Sequence, residues 1–270
     1  MTFEAFETSA AGGRPVELYD FQRGYLHWRY TSAQADVFAD SATWAATPIS
    51  RTGFEAASEL NRSAIKITVP RDNEVADMWR VTAPSEEIGL TLKQYHHGDG
   101  ETAVLWIGRV VNVDWSGSLA TLHLEPGYTG VRRQGLRRRY QRACPHVLYG
   151  QLCRLSPSTF RLLSQCDSIS GLIIGVQNGS ALGATYYTGG YVEWEVASGL
   201  YDRRYIVEHS GAYMTLNAVP HTLSLGQAIR VYPGCDHTLA TCNTKFGNSA
   251  NYGGMPYIPI KNPFNGASLF

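Results

Sequence analysis

The stretch Val110-Val111-Asn112-Val113-Asp114-Trp115-Ser116-Gly117-Ser118-Leu119-Ala120-Thr121-Leu122-His123-Leu124-Glu125-Pro126 reads as two strands joined by a turn. Val111, Val113 and Trp115 recur at every second residue, and Ala120, Leu122 and Leu124 do so after the turn. That spacing puts alternate side chains on one face of an extended chain, whereas a helix repeats every 3.6 residues. Ser116-Gly117-Ser118 supplies the turn, so the two runs are predicted to pair as a hairpin. The same alternation appears upstream in Leu26, Trp28 and Tyr30 and in Ile65, Ile67 and Val69. Downstream it appears in Val192, Trp194 and Val196, with a Ser198-Gly199 turn before Arg204–Glu208. Met214/Leu216, Leu223/Leu225 and Ile229/Val231 read as further strands. Helical signal is confined to Glu55–Asn61, a turn or two around Ser158–Ser164, and a short segment from Asp236 carrying Leu239 and Ala240. The predicted class is mainly β.

Glu125-Pro126-Gly127 ends the first β-rich region, and from Arg132 to Arg142 six arginines fall within eleven residues. A boundary is expected near residues 127–143, dividing the chain into β-rich domains 1–130 and 131–270. The arginine run reads as a linker paired with local acids, a nucleic-acid patch, or a surface for acidic partners. Formal charge is +0, from 23 basic and 23 acidic residues, so no overall field recruits nucleic acid or an acidic membrane. Aromatics make up 11% of the chain and charged residues only 17%, with 16 tyrosines and 19 arginines against 4 lysines. That balance suits surfaces that become buried in an assembly, where aromatics and Arg are enriched and Lys and Glu depleted. No apolar run reaches the roughly twenty residues a membrane helix needs. Met1–Gly13 lacks the basic and apolar regions of a signal peptide, so synthesis in the cytoplasm is expected.

Four of the five cysteines form two pairs, Cys144-x8-Cys153 and Cys235-x6-Cys242, flanking a β-rich insert. Four thiolates can hold a zinc ion or an iron–sulfur cluster, and the same residues can make two disulfides. Zinc is usually gripped through knuckles with about two to four residues between paired cysteines, so these gaps are loose for it. Iron–sulfur ligation tolerates wider spacings, and disulfides need an oxidising compartment. Pro145, Pro233, Gly234 and Gly247 are turn formers that let a backbone wrap a bound group, and Asp236, His237 and Lys245 are candidates for hydrogen bonds around it. Cys166 stands outside both pairs and reads as a small buried residue.

The blocks CDHTLATCNTKFGNSANYGGMPYIP, CPHVLYGQLC and YDFQRGYLHWRYTS resemble the phage tail-tip hub family, which includes the hub protein of gene transfer agents. The cysteine spacings are similar to those of its lambda-type minor tail protein L members, whose C-terminal domain carries an iron–sulfur cluster. The resemblance implies a 4Fe-4S cluster on Cys144, Cys153, Cys235 and Cys242, which would organise the C-terminal domain. It also implies a homotrimer at the distal end of a siphophage-like tail, contacting the distal tail ring, the central fibre or receptor-binding protein, and the tape-measure protein. DNA would meet the protein only in transit through the channel, and the location would be the virion, after assembly in the host cytoplasm.

Two other roles compete. A tail-associated cell-wall hydrolase would need a nucleophile, a base and an oxyanion site, or a metal. The sequence has no Gly-x-Ser-x-Gly elbow and no His-Glu-x-x-His motif, while His96-His97-Gly98-Asp99 reads as a turn between strands. A redox-active iron–sulfur protein would use the same four cysteines for electron transfer. The expectation is a structural protein rather than an enzyme.

Overall fold

The computed structural model of the protein describes residues 8, 15–53, 64–96, 101–128 and 140–258. The chain divides into two compact units, Met1–Arg133 and Gln134–Phe270. The helix expected at Glu55–Asn61, residues 97–99 of the His-rich turn and most of the arginine run lie outside the described residues.

The first unit is built on one nine-stranded sheet. Its strands are β1 (Pro15–Arg23), β2 (Leu26–Thr31), β3 (Val37–Ala39), β4 (Ala42–Ala46), β5 (Ser50–Arg51), β6 (Ile65–Pro70), β7 (Gly89–His96), β8 (Thr102–Ser116) and β9 (Leu119–Pro126). They lie in the order β3-β4-β2-β1-β7-β8-β9-β6-β5. The predicted hairpin is β8–β9, paired from Ser116↔Leu119 through Trp115↔Ala120 and Val113↔Leu122. Gly117 takes φ +56°, a left-handed value that glycine adopts without strain. One detail of the alternation fails. The pairing shifts between Val110 and Asn112, and this bulge buries Val110 and Val113 while leaving Val111 exposed. Ile65, Ile67 and Val69 of β6 meet Ala120, Leu122 and Leu124 of β9 in the core, together with Tyr19, Phe21 and Leu92. The single helical turn α1 (Glu74–Asp77) is capped by Asn73, whose side chain accepts from the Val75 and Ala76 amides.

The second unit is a closed barrel. Strands β10 (Leu162–Ser170), β11 (Ile173–Val176), β12 (Tyr191–Ala197), β13 (Leu200–Ser210), β14 (Tyr213–Leu216) and β15 (Ala228–Tyr232) close in the order β10-β11-β14-β13-β12-β15. Closure comes from β10 against β15, with Leu162 opposite Val231. It removes the open edges that would otherwise invite pairing with other chains. Alternate residues fill the interior: Val192 and Trp194 from β12, Ile206 from β13, Met214 and Leu216 from β14, Ile229 and Val231 from β15. Cys166 of β10 lies in this core at 0% exposure, as expected of a small buried residue. The one indole in the core is satisfied through a relay, Trp194 Nε1 donating to Thr222 Oγ1 at 2.9 Å and Thr222 Oγ1 to Asp202 Oδ2 at 3.0 Å.

Two predicted elements differ. Leu223/Leu225 is not a strand: Leu223 is buried, Leu225 is 68% exposed, and the backbone bonds locally, Leu223 N to Pro220 O and Gln227 N to Ser224 O. Pro220 and Gly226, at φ +74°, bracket the segment and turn it before a ladder can form. The helix around Ser158–Ser164 is only α2 (Pro157–Phe160), because Leu162 already belongs to the barrel.

Candidate functional site

Barrel strand β15 ends at Tyr232 and delivers Pro233-Gly234-Cys235 from its end. The exit is fixed by backbone packed on backbone. A Cβ at Gly190 would stand 1.9 Å from Tyr232 O, and one at Gly234 would stand 2.1 Å from Gly189 C and 2.2 Å from Thr188 O. Both positions demand glycine because the neighbours are main chain and cannot swing aside. Cys235 is thereby pinned at the barrel wall.

After Cys235 the chain turns into the helix α3 (Leu239–Thr244). It begins at Thr238 rather than Asp236, since Thr238 Oγ1 caps it by accepting from the Thr241 amide. Asp236 accepts from the Thr238 amide and from the Thr238 and Thr241 hydroxyls, each at 2.9 Å. Burial pushes the Asp236 carboxyl up, but these bonds outweigh it and hold it below its ordinary value. Its role is to build the helix start. Cys242 faces inward from α3 and is buried.

The first cysteine pair lies on a loop that runs alongside. Cys144 N donates to His237 O at 2.9 Å, and the Tyr149 hydroxyl donates to Pro233 O at 3.0 Å. Tyr149 also meets Tyr191 and Tyr232 edge-on at 6.5 and 6.3 Å, which seats the loop on the barrel. A third segment closes the arrangement. Asn248 follows Gly247 (φ +59°), gives its backbone N–H to Cys242 O, and gives its side-chain amide to Cys153 O at 2.7 Å. One buried asparagine thus joins the two pairs. His146 Nδ1 donates to Asn251 O at 3.0 Å, and Gly253 packs so closely on the His146 ring that a Cβ would stand 2.3 Å from Nε2.

All four cysteines line one cavity of about 20 Å³, walled also by Leu148, Leu155 and Phe246. None is in a disulfide. Amide groups point at the sulfurs: Gly253 N–H at Cys144 (3.4 Å), His237 N–H at Cys235 (3.3 Å) and the Asn248 amide at Cys153 (3.7 Å). The Cys242 thiol donates to Asn248 O at 3.3 Å. Burial pushes the Cys235 and Cys242 thiols up, and the neighbouring cysteines raise both further. With protein alone, four thiolates in this space would repel one another, so the deprotonated set calls for a cationic centre.

The donor set fits a thiolate-ligated metal group, because wrapping turns and N–H···S contacts are what such a group uses to set its charge. Among the described residues, no group of three or more His, Cys, Asp or Glu side chains converges closely enough to hold a metal ion. A zinc site requires every sulfur at about 2.3 Å from a single point, whereas a cluster spreads its ligands around a larger body. The cavity holds about one water-sized sphere, so a cluster would occupy it only with the thiols displaced outward.

The structure therefore brings together Cys144, Cys153, Cys235 and Cys242, and keeps Cys166 apart in the barrel core. His237 serves through its backbone, donating N–H to Cys235 and accepting from Cys144. The sequence alone assigns Asn248 no role. Its signal was there, a polar residue directly after a glycine that ends a cysteine-bearing helix. His96 closes β7 and is 1% exposed. Of the arginine run, Arg142 donates to Pro256 O at 3.2 Å, which ties the entry of the cysteine loop to the far end of the third segment.

Known proteins agree with this architecture. The solved virion of a native gene transfer agent particle contains a chain that aligns with a TM-score of 0.78 at 19% identity, covering 99% of both chains. The two chains share a fold. Residues 185–262 match the family described as phage conserved hypothetical protein BR0599, a segment that contains β12–β15, Cys235, Cys242 and Asn248. An uncharacterized protein of Xylella fastidiosa (strain 9a5c) is 28% identical over 189 residues, 64% of this chain. The chain spans 39% of the length of that relative. Among the described residues no helix is long and apolar enough to cross a membrane.

Proposed function

We propose that the protein is a structural component of a phage-type tail tip, the hub that links the distal tail ring to the central fibre, with a 4Fe-4S cluster on Cys144, Cys153, Cys235 and Cys242. The observation that carries this reading is the meeting of four unpaired cysteines, from two distant segments, at one cavity of a fold found in a gene transfer agent virion. The cluster supplies a cross-link with little chemistry of its own. Metal–thiolate sites can contribute about 10 kcal/mol or more to folding, by analogy with structural zinc. The residues around it hold the loops in register: Asn248 joins the pairs, Tyr149 seats the first loop, and Gly234 fixes the exit of Cys235.

The role is mechanical rather than catalytic. Copies assemble as a homotrimer around the tail axis, since a heterologous interface that closes gives a ring. The low charge and high tyrosine content support surfaces that are buried against ring, fibre and tape-measure neighbours. DNA passes through the assembly and is not bound in sequence-specific fashion. The test is anaerobic purification followed by iron, sulfide and zinc analysis and a visible spectrum. About four irons and four sulfides per chain, with broad absorbance near 400 nm, are expected. One zinc per chain and no sulfide would replace the cluster with an ion. Particle formation with Cys144→Ser and Cys235→Ser together at the parental yield would overturn the structural role.

A further inference from the structure

Lys245 sits one residue past the end of α3, half-buried, and its ammonium donates to two backbone carbonyls of the barrel side. One is Gly234 O at 2.8 Å, the carbonyl directly before Cys235, and the other is Tyr186 O. The ammonium also lies 4.3 Å from the Tyr186 ring centroid and 5.4 Å from that of Phe246. Phe246 in turn lines the cysteine cavity.

This placement is costly for a charge. Withdrawal from water pushes the ammonium down from its usual value, while Cys235 and Asp236 are the negative groups that favour its charged form. Asp236 has its own obligations, with both carboxylate oxygens taken by the start of α3. Of the two, the thiolate side is the one left short of positive charge. The amides that reach the sulfurs carry only partial charges. Lys245 adds a full cation, held by rigid carbonyls and two aromatic faces.

We propose that Lys245 is the charge-compensating residue of the four-cysteine centre, holding a fixed positive charge beside Cys235 that stabilises the more negative state of the bound group. This rests on the cluster reading given above. Lys245 touches no ligand sulfur and acts through position and field. A nearby cation raises the reduction potential of an iron–sulfur group, because reduction adds negative charge to it. A merely structural strap would move stability and leave the potential where it was.

The experiment compares the parental protein with Lys245→Met and Lys245→Arg, purified anaerobically. Each is assayed for iron and sulfide, for thermal unfolding, and for midpoint potential by reductive titration followed in the visible and by electron paramagnetic resonance. Lys245→Met keeps an apolar stem on Tyr186 and Phe246 but removes the charge, and its potential is expected to fall below the parental value. Lys245→Arg keeps the charge and is expected to return the potential toward the parental value, even where its melting temperature drops. Equal potentials in all three proteins would overturn the inference and leave the cluster reading intact. If Lys245→Met does not fold, Lys245→Gln takes its place in the comparison with Lys245→Arg, and equal potentials in that pair overturn the inference equally. A parental protein without iron and sulfide would sink the cluster reading, and this inference with it.

Discussion

Replacing Asn248 with alanine isolates the contact that joins the two cysteine pairs. The side chain makes two close hydrogen bonds, donating to Cys153 O and accepting from Asn251 Nδ2, both at 2.7 Å. Asn248 is 8% exposed and Cys153 is 9% exposed, so water cannot take over the carbonyl once the amide is gone. A buried carbonyl stripped of its donor costs about 1–3 kcal/mol, and the second bond contributes about 0.5–1.5 kcal/mol net. The sum is roughly 2–4 kcal/mol. For a unit of this size each kcal/mol moves the midpoint by about 2–6 °C, so the C-terminal transition should fall by roughly 10 °C. Differential scanning calorimetry on the full chain reads this directly, with the N-terminal transition serving as an internal control. Asn248→Asp should be at least as damaging, since it removes the donor and places a negative charge beside the thiols. A shift below about 2 °C for Asn248→Ala would refute the reasoning, because it would mean that the Cys153 carbonyl finds another donor at no cost.

Under the cluster proposal, Gly234→Ala should abolish metal content while leaving the N-terminal unit folded, since its Cβ would overlap the Gly189 and Thr188 main chain; stoichiometric iron in the variant would refute the backbone-contact argument. The Tyr232 hydroxyl, buried and donating to Glu193 Oε1 at 2.7 Å, has its pKa raised to about 12 by burial first and then by that carboxylate. A folded value above the unfolded one of about 10 means that its stabilising contribution is complete below pH 10 and is lost as pH rises toward 12. Alkaline unfolding of the barrel in that window is expected, and Tyr232→Phe should flatten the part of the pH dependence due to this group, read from chemical denaturation at several pH values.

Much of the strand content was legible because period two is a local signal. The pairs Val192/Trp194, Met214/Leu216 and Ile229/Val231 all point into the barrel, as their alternation requires. Barrel closure was not legible. It depends on Leu162 meeting Val231, a pairing between segments that are far apart in sequence and carry no mark of each other. Two errors have the same origin. Leu223/Leu225 alternates as well as any true strand, yet Pro220 and the left-handed Gly226 turn it first. Val111 has the right period but sits in a bulge, where an extra residue flips the face. The cysteines announced themselves by type and spacing. The residues that place them, Gly190, Gly234 and Asn248, did so less, because their value lies in how closely the backbone approaches or in a carbonyl reached across the fold.

The distribution of regular structure within the second unit decides what loss of the proposed centre should do. The barrel from Leu162 to Tyr232 is closed by its own ladder and filled by its own core, and neither uses the four cysteines. The segments 140–155 and 233–258 are different. Besides α3 and the short 3₁₀ turn Ser249–Asn251 they contain no regular element among the described residues, and they are held by a few cross-contacts such as Cys144 N to His237 O and Met255 N to Gln141 O. Chain of this kind cannot offset its own ordering entropy of about 1–2 kcal/mol per residue without a cross-link or extensive burial. Cys235→Ser should therefore release these two segments and leave the barrel folded. Limited proteolysis should cut within 140–155 and 236–258 and spare 162–232, and hydrogen exchange should rise in the same segments. Global unfolding of the second unit in that variant would overturn this division, since it would show that the barrel itself depends on the centre. If the division holds, the proposed centre does not build the barrel but fixes the loops that lead into its first strand and out of its last, and its loss costs those loops their shape while the ladder and core of the barrel stay intact.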